Sequence, residues 1–148
     1  MVTESKDSKK SRDTGTGRIL EAMIIPALTG GGYVCLKQHH VGDRFGGGKH
    51  FVDVVAEKDG KKFLVSLKWQ QVSGTAEQKV PFEAICLADT VMGNTEKYAK
   101  AYLVLGGEGW KLREFFIRDG LQKHLTHSKL VTICTLENFV AKANRGEL

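Results

Sequence analysis

The spacing of apolar and polar residues changes several times along the chain, and each change predicts a new element. Between residues 16 and 28 the apolar positions follow helical spacing. The glycines at 30–32 end this predicted helix, because glycine tolerates the left-handed conformation of a helix exit. Strand patterns follow at 33–38, 51–57 and 63–71. Asp59-Gly60 lies between the last two apolar runs, which predicts a β-hairpin.

The second half of the chain continues with helices and strands in alternation. We predict a helix that follows the turn at 73–75 and runs to Met92, with Pro81 marking its true first turn and Glu83 just inside it. The remaining predicted elements are a strand at 101–105, helices at 110–118 and 121–125, a strand at 130–135 and a closing helix at 136–144. The order α-β-β-β-α-β-α-β-α predicts one mixed α/β domain over residues 15–148.

Composition and charge narrow the possible partners and compartment. The net charge of +5 over 148 residues favours an anionic partner, with nucleic acid ahead of an acidic membrane. Residues 1–14 are polar and rich in Ser and Lys, so we predict a disordered tail and no secretory signal. No apolar run approaches the roughly 20 residues of a membrane span. Three widely spaced cysteines in apolar runs predict buried thiols in a reducing compartment, hence a cytoplasmic protein.

Asp53 interrupts an otherwise apolar strand at 51–55. An ionised carboxylate in such a strand must be paired, hydrogen-bonded or metal-bound, because burial of an isolated charge is costly. On the next strand Ser66, Lys68 and Gln70 share one face, because side chains alternate along a strand. The hairpin therefore brings Asp53 and Lys68 into the same neighbourhood. From these two residues alone, a structural ion pair is the simpler interpretation.

The whole pattern adds a glycine-rich loop before the Asp-bearing strand, Lys-x-Gln on the following strand and then a helix. It resembles the PD-(D/E)XK nuclease superfamily over residues 16–106. The resemblance implies a restriction-endonuclease-like fold, in which helices flank a central mixed sheet. The core would be α-β-β-β-α-β, with a C-terminal α-β-α addition.

The same resemblance implies the chemistry of a DNA endonuclease that depends on Mg²⁺, for which Mn²⁺ can substitute. Asp53 would bind the metal, and Lys68 would orient or activate the attacking water. Glu21 on the first helix and Gln70 match further catalytic positions found in parts of the superfamily. Glu21 can equally be an exposed helix carboxylate, and Gln70 a polar residue at a strand end.

One position departs from the superfamily pattern. Two residues before the lysine, where an acid is usual, stands Ser66, and a neutral hydroxyl is a poor Mg²⁺ ligand. Either the protein is an inactive nucleic-acid-binding protein on the nuclease fold, or another residue supplies the acid. Restriction endonucleases with the same Ser-x-Lys form take a glutamate from the following helix. Glu83 lies at a similar offset and is the predicted replacement ligand, with Glu77 as the second candidate.

Residues 41–50 are rich in glycine and basic side chains, and we predict a loop there. Glycines allow close approach to a ligand, and we expect Arg44, Lys49 and His50, together with Gln71, to contact DNA. A flexible connector is the other interpretation of this segment. Because the two strands of a duplex have opposite polarity, cleavage of both strands by so small a domain implies a homodimer.

Overall fold

Six strands and five α-helices make up the described part of the computed structural model, residues 2–4, 15–94 and 96–148. The strands are β1 (Val2–Glu4), β2 (Val34–Asp43), β3 (Lys49–Lys58), β4 (Lys61–Trp69), β5 (Lys100–Gly106) and β6 (Val131–Thr135). The α-helices are α1 (Gly15–Ile19), α2 (Ile25–Gly30), α3 (Ala76–Gly93), α4 (Arg113–Ile117) and α5 (Leu136–Asn144). A π-helical turn, Leu20–Ile24, joins α1 to α2, and 3₁₀ turns lie at Gly120–His124 and Ser128–Leu130.

The strands form one mixed sheet in the order β1-β2-β3-β4-β5-β6. β2, β3 and β4 pair antiparallel, whereas β4, β5 and β6 pair parallel, and β1 lies parallel to β2. α3 makes the crossover from β4 to β5 that a parallel pair requires. The predicted α/β fold is confirmed, with its α-β-β-β-α-β core and its C-terminal α-β-α addition.

Apolar side chains cover both faces of the sheet, because successive strand residues point to opposite sides. On one face the strands pack against α2 and α5 through a buried cluster that includes Ile24, Leu28, Val54, Val65 and Phe139. On the other face they pack against α3 through a cluster that includes Val55, Leu64, Leu87, Val91 and Leu103. α3 is thus held to the sheet by the same residues that form the second half of the core.

β3 and β4 separate part-way along their length. Their pairing runs from Lys58–Lys61 at the turn to Val54–Val65. Beyond that point β4 continues beside β5, where Trp69 is opposite Gly106. The separation leaves a gap in the sheet beside Asp53, and several polar residues, among them Ser66 and Glu83, lie around that gap.

The segment between β2 and β3 and the start of α3 differ from the predicted elements. Residues 41–50, predicted as a loop, form a β-hairpin: β2 runs to Asp43, β3 begins at Lys49, and Arg44 N–H donates to Gly48 O at 2.6 Å. α3 begins at Ala76, so Pro81 lies inside the helix rather than in its first turn.

The predicted disordered tail, residues 1–14, lies mostly outside the described residues. Its residues Val2–Glu4 form the edge strand β1, paired with Cys35–Lys37 of β2. The composition of the segment does not predict that strand, because the pairing partner is more than thirty residues away.

Candidate active site

A cavity of about 330 Å³ opens where β3 and β4 separate. Its walls come from the N-terminal helix, β2, β3, the second half of β4 and the first turns of α3. The polar and charged residues that border it are Thr16, Gln38, Asp53, Ser66, Lys68, Lys79 and Glu83. The structure therefore brings Asp53, Glu83 and Lys68 together around one cavity.

Asp53 replaces a missing strand partner. Because β3 and β4 no longer pair at this point, Leu67 N–H has no ladder acceptor on β3, and it donates instead to Asp53 Oδ2 at 2.6 Å. Asp53 borders the cavity but is closely surrounded by protein, and this burial raises its pKa to about 6. The Leu67 hydrogen bond, the charge of Lys68 and a hydrogen bond from Gln38 limit the rise, while the charge of Glu83 adds to it.

Glu83 is only 2% exposed and accepts three hydrogen bonds. Arg44 Nη1 donates to Oε1 at 2.7 Å, and Ser66 Oγ donates to Oε2 at 2.9 Å. His50 Nε2 lies 3.2 Å from Oε2 and donates, because a carboxylate can only accept. Burial alone would raise the pKa of Glu83, but these partners and the charge of Lys68 lower it to about 2. Glu83 is therefore ionised at neutral pH.

Lys68 and Ser66 lie two residues apart on β4, so both side chains point to the cavity. The charge of Lys68 lowers the pKa of both Asp53 and Glu83, so the ammonium group lies within electrostatic reach of each acid. Ser66 occupies the position where an acid was expected, and its hydroxyl donates to the Glu83 carboxylate.

The match to a family model covers residues 12–147 and is described as a PD-(D/E)XK nuclease superfamily domain. The chain belongs to this superfamily. Among solved structures, a protein of unknown function, AF1548, is 12% identical, with a TM-score of 0.46. The alignment covers 76% of this chain and 54% of that one, so the chain spans about half the length of that relative. None of the curated proteins compared with the chain matches it.

Two other acids predicted for the nuclease site lie elsewhere. Glu77 Oε1 accepts the backbone N–H groups of Lys111 and Leu112, the latter at 2.9 Å, and thus holds the segment that leads into α4. Glu21 is exposed and pairs with Lys37 of β2. Neither acid borders the cavity that holds Asp53 and Glu83. Of the two candidates for the replacement acid, Glu83 alone is brought beside Ser66.

Gln70, predicted to be catalytic, is buried in a structural role. Its Nε2 donates to Gly109 O at 2.7 Å, and its Oε1 accepts the N–H of Ala76, the first residue of α3, at 3.0 Å. Both ends of the amide are engaged, so Gln70 ties the start of α3 to the loop after β5. The structure does not place this side chain in the cavity.

The four residues predicted to contact DNA have different environments. His50 is completely buried against Glu83, so its assignment to a DNA-contacting surface is wrong. Arg44 is 30% exposed and is paired with Glu83. Lys49, beside the hairpin turn, and Gln71, after β4, are exposed. Those two therefore remain predicted phosphate or base contacts.

Gln38 and Lys79 border the cavity together with Thr16, and none of the three was predicted as a site residue. Gln38 lies on β2 between Lys37 and His39, which pair with Val54 and Val52, so it is placed opposite Asp53. Counting back from a hairpin turn at 44–48 would have placed His39 there, because a register shift between His40 and Gly42 moves the pairing by one residue. Lys79, exposed on α3, adds a positive charge at the cavity and carries no sequence signal that separates it from other surface lysines.

The oxygen ligands at the cavity fit a hard divalent cation. Mg²⁺ is commonly bound by one or two carboxylates, and water and substrate phosphate complete its coordination. Asp53 and Glu83 meet that need, and at neutral pH both are ionised. Within the described residues no group of three or more His, Cys, Asp or Glu side chains is close enough to hold a metal. A metal at this site would therefore be held by two carboxylates, and water or substrate oxygens would complete its coordination.

Across residues 2–4, 15–94 and 96–148, no helix is long and apolar enough to cross a lipid bilayer.

Proposed function

We propose that this superfamily member is a metal-dependent DNA endonuclease that hydrolyses phosphodiester bonds. The observation that carries the proposal is the meeting of Asp53, Glu83 and Lys68 around one cavity, in a nuclease-superfamily domain. Two ionised carboxylates and an ammonium group are the side chains that such hydrolysis uses. The net charge of +5 supports a polyanionic substrate.

Each residue has a distinct role in the proposed reaction. Asp53 and Glu83 would hold Mg²⁺, or Mn²⁺ in its place, which would supply charge stabilisation at the scissile phosphate. Lys68, close to both acids, would orient the attacking water and donate a hydrogen bond to it. Ser66 would hold Glu83 in the position that an acid on β4 occupies elsewhere in the superfamily. In the Ser-x-Lys form, the second acid would then be supplied by α3 instead of β4, and it would not be missing.

The test is a cleavage assay with Mg²⁺ and with Mn²⁺ on supercoiled plasmid, a four-way junction and single-stranded DNA. We expect Asp53→Ala and Lys68→Ala each to lower metal-dependent nicking by about 10³-fold. Asp59→Ala and Lys61→Ala are matched controls, because both residues are exposed at the turn of the same hairpin. Full cleavage by purified Asp53→Ala and Lys68→Ala proteins would contradict the proposal.

A second candidate function is a nucleic-acid-binding protein without catalytic activity. The observation that favours it is the crowding of Glu83, whose oxygens already accept from Arg44, His50 and Ser66. These donors compete with a metal for the same lone pairs. Titration with Mn²⁺ separates the two functions: DNA binding that weakens with salt, but no saturable Mn²⁺ site, would favour this candidate.

We also propose a homodimer, the arrangement that would present two sites to strands of opposite polarity. The outer face of α3 carries exposed apolar residues, Phe82, Ile85 and Met92, and Phe45 from the hairpin lies beside Phe82 with ring centroids 6.4 Å apart. An apolar cavity of about 360 Å³ lies along the same helix, away from the two acids. Sedimentation equilibrium tests this proposal, and a monomer at all concentrations, with and without DNA, would contradict it.

A further inference from the structure

Gln38 has a backbone conformation that its place in the fold does not require. Three non-glycine residues in the described ranges have positive φ: Gln38 at 48°, Asp59 at 53° and Asp119 at 63°. Asp59 is in the β3–β4 turn, where a tight hairpin requires positive φ. Asp119 lies between α4 and a 3₁₀ turn. Gln38 instead lies inside the ten-residue strand β2, where left-handed backbone is unfavourable for a residue with a Cβ.

The Gln38 side chain reaches the cavity and the Asp53 carboxylate. Gln38 is placed opposite Asp53 because its two neighbours pair with the neighbours of Asp53. The Gln38 amide lies close enough to the Asp53 carboxylate to lower its pKa, and the residue borders the cavity. A carboxylate only accepts, so the amide NH₂ group would be the donor. Asp53 thus faces a donor on each neighbouring strand: Leu67 N–H on β4, at 2.6 Å, and the Gln38 amide on β2.

Local backbone strain that persists next to a functional group often has a role in that function. An Asp53 side chain held only by Leu67 could rotate about its remaining torsions. The second hydrogen bond, from the opposite strand, restricts that rotation. In a regular strand, successive side chains alternate between the two faces of the sheet. The left-handed backbone of Gln38 departs from that geometry, so its side chain leaves the strand in a different direction.

We propose that Gln38 is a positioning residue for Asp53, and that its left-handed backbone directs the amide to hold the carboxylate in the orientation that binds a divalent cation. This inference rests on the proposed function, because it concerns the same metal site. It assigns no contact between Gln38 and the substrate. If the left-handed backbone of Gln38 had only a structural role, its loss would not change metal affinity, so the two interpretations have different outcomes.

The experiment compares Gln38→Ala with Gln38→Gly in the full chain. Both variants remove the amide, but only glycine relieves the left-handed backbone. We expect both to bind Mn²⁺ alone, without DNA, about 10- to 100-fold more weakly than the wild type in calorimetry. We also expect Gln38→Gly to melt about 2–4 °C above Gln38→Ala. If the alanine variant fails to fold, the Mn²⁺ affinity of the glycine variant still tests the assignment.

The matched control is the same pair of substitutions at Asp59, at the other end of the hairpin. Asp59→Gly should melt above Asp59→Ala for the same backbone reason, whereas both should bind Mn²⁺ as the wild type does. Wild-type Mn²⁺ affinity in the Gln38 variants, with binding lost in Asp53→Asn, would overturn the role of Gln38 alone. Absence of Mn²⁺ binding by the wild-type protein would overturn both this inference and the proposed metal-dependent function.

Discussion

The carboxylates on the two sides of the cavity have pKa shifts of opposite sign. On the strand side, Asp53 is closely surrounded by protein and its hydrogen-bond donors, Leu67 N–H and Gln38, are neutral, so its pKa is raised to about 6. On the helix side, Glu83 is almost inaccessible yet receives hydrogen bonds from Arg44, His50 and Ser66, and its pKa is lowered to about 2. The two acids have the same charge at neutral pH, but folding disfavours one ionised group and favours the other.

The contrast separates an acid whose ionised form the fold disfavours from one whose ionised form the fold already stabilises. An ionised Asp53 destabilises the native protein above its folded pKa, and a bound cation would remove that penalty. Glu83 already has charged partners, so its ionised form stabilises the fold without a metal. A bound metal would therefore stabilise the strand side more than the helix side. On the helix side, Glu83 instead links the β2–β3 turn and α3 to the sheet.

The largest expected effect on stability comes from breaking the helix side. Glu83→Gln should lower the free energy of unfolding at pH 7 by about 3 kcal/mol, because it leaves Arg44 and His50 without their carboxylate. In the wild type, the Glu83 contribution is fully present above its unfolded pKa near 4.5 and is lost as the pH falls through about 2. Urea denaturation at pH 7 and pH 3 measures both statements, and Glu77→Gln is the control on the same helix.

On the strand side the expected sign is reversed. Asp53→Asn should raise the free energy of unfolding at pH 8 by about 2 kcal/mol, while it abolishes metal-dependent cleavage. The folded pKa of Asp53, about 6, is above its ordinary value of 3.8, so the penalty is present above pH 6 and absent below pH 3.8. The gain in Asp53→Asn should therefore shrink as the pH is lowered from 8 to 4. An Asp53→Asn protein less stable than the wild type at pH 8 would break the comparison.

Ser66→Ala should have an intermediate effect. The substitution removes one hydrogen bond to a buried carboxylate, which costs about 1–2 kcal/mol of unfolding free energy. We expect cleavage to fall less than in Glu83→Gln, because Arg44 and His50 still hold the glutamate. A loss of cleavage as complete as that of Lys68→Ala would instead give the hydroxyl itself a role at the reacting groups.

The smallest effect is expected at Glu77. Its carboxylate accepts backbone N–H groups of an exposed segment, so Glu77→Ala should cost about 0.5–1 kcal/mol and leave metal-dependent cleavage unchanged. Cleavage assays of Glu77→Ala beside Glu83→Ala measure this directly. Greater loss in Glu77→Ala would reassign the replacement acid.

Local patterns were sufficient to predict much of the fold and the centre of the site. The Asp59-Gly60 turn defines the β3–β4 hairpin, and period-two alternation places Ser66 and Lys68 on one face. These features depend on residues close in the chain, so periodicity reveals them. The β2–β3 hairpin was missed because a turn with three consecutive glycines is also typical of an irregular loop. The register that places Gln38 opposite Asp53 was missed as well, because it depends on a shift between His40 and Gly42 that no local pattern predicts.

His50 shows a different limit. In the sequence it is one of several basic residues beside glycines, which is typical of a surface segment. It is buried because the hairpin packs under α3, and its partner Glu83 is 33 residues away. Similarly, the predicted helix start at Pro81 is wrong. α3 begins at Ala76, whose N–H donates to Gln70 Oε1, and Pro81 lies inside the helix.

The spacing of residues along α3 is enough to predict an apolar stripe with one candidate acid on each side. Glu77 and Glu83 are six positions apart, so at 100° per residue they lie about 120° apart around the helix. The stripe of Val80, Ala84, Leu87 and Val91 runs between them. That Glu83 contacts Ser66, and Glu77 the segment before α4, follows from the fold alone. The direction in which the helix lies across the sheet determines that choice, and it depends on packing that no local pattern records.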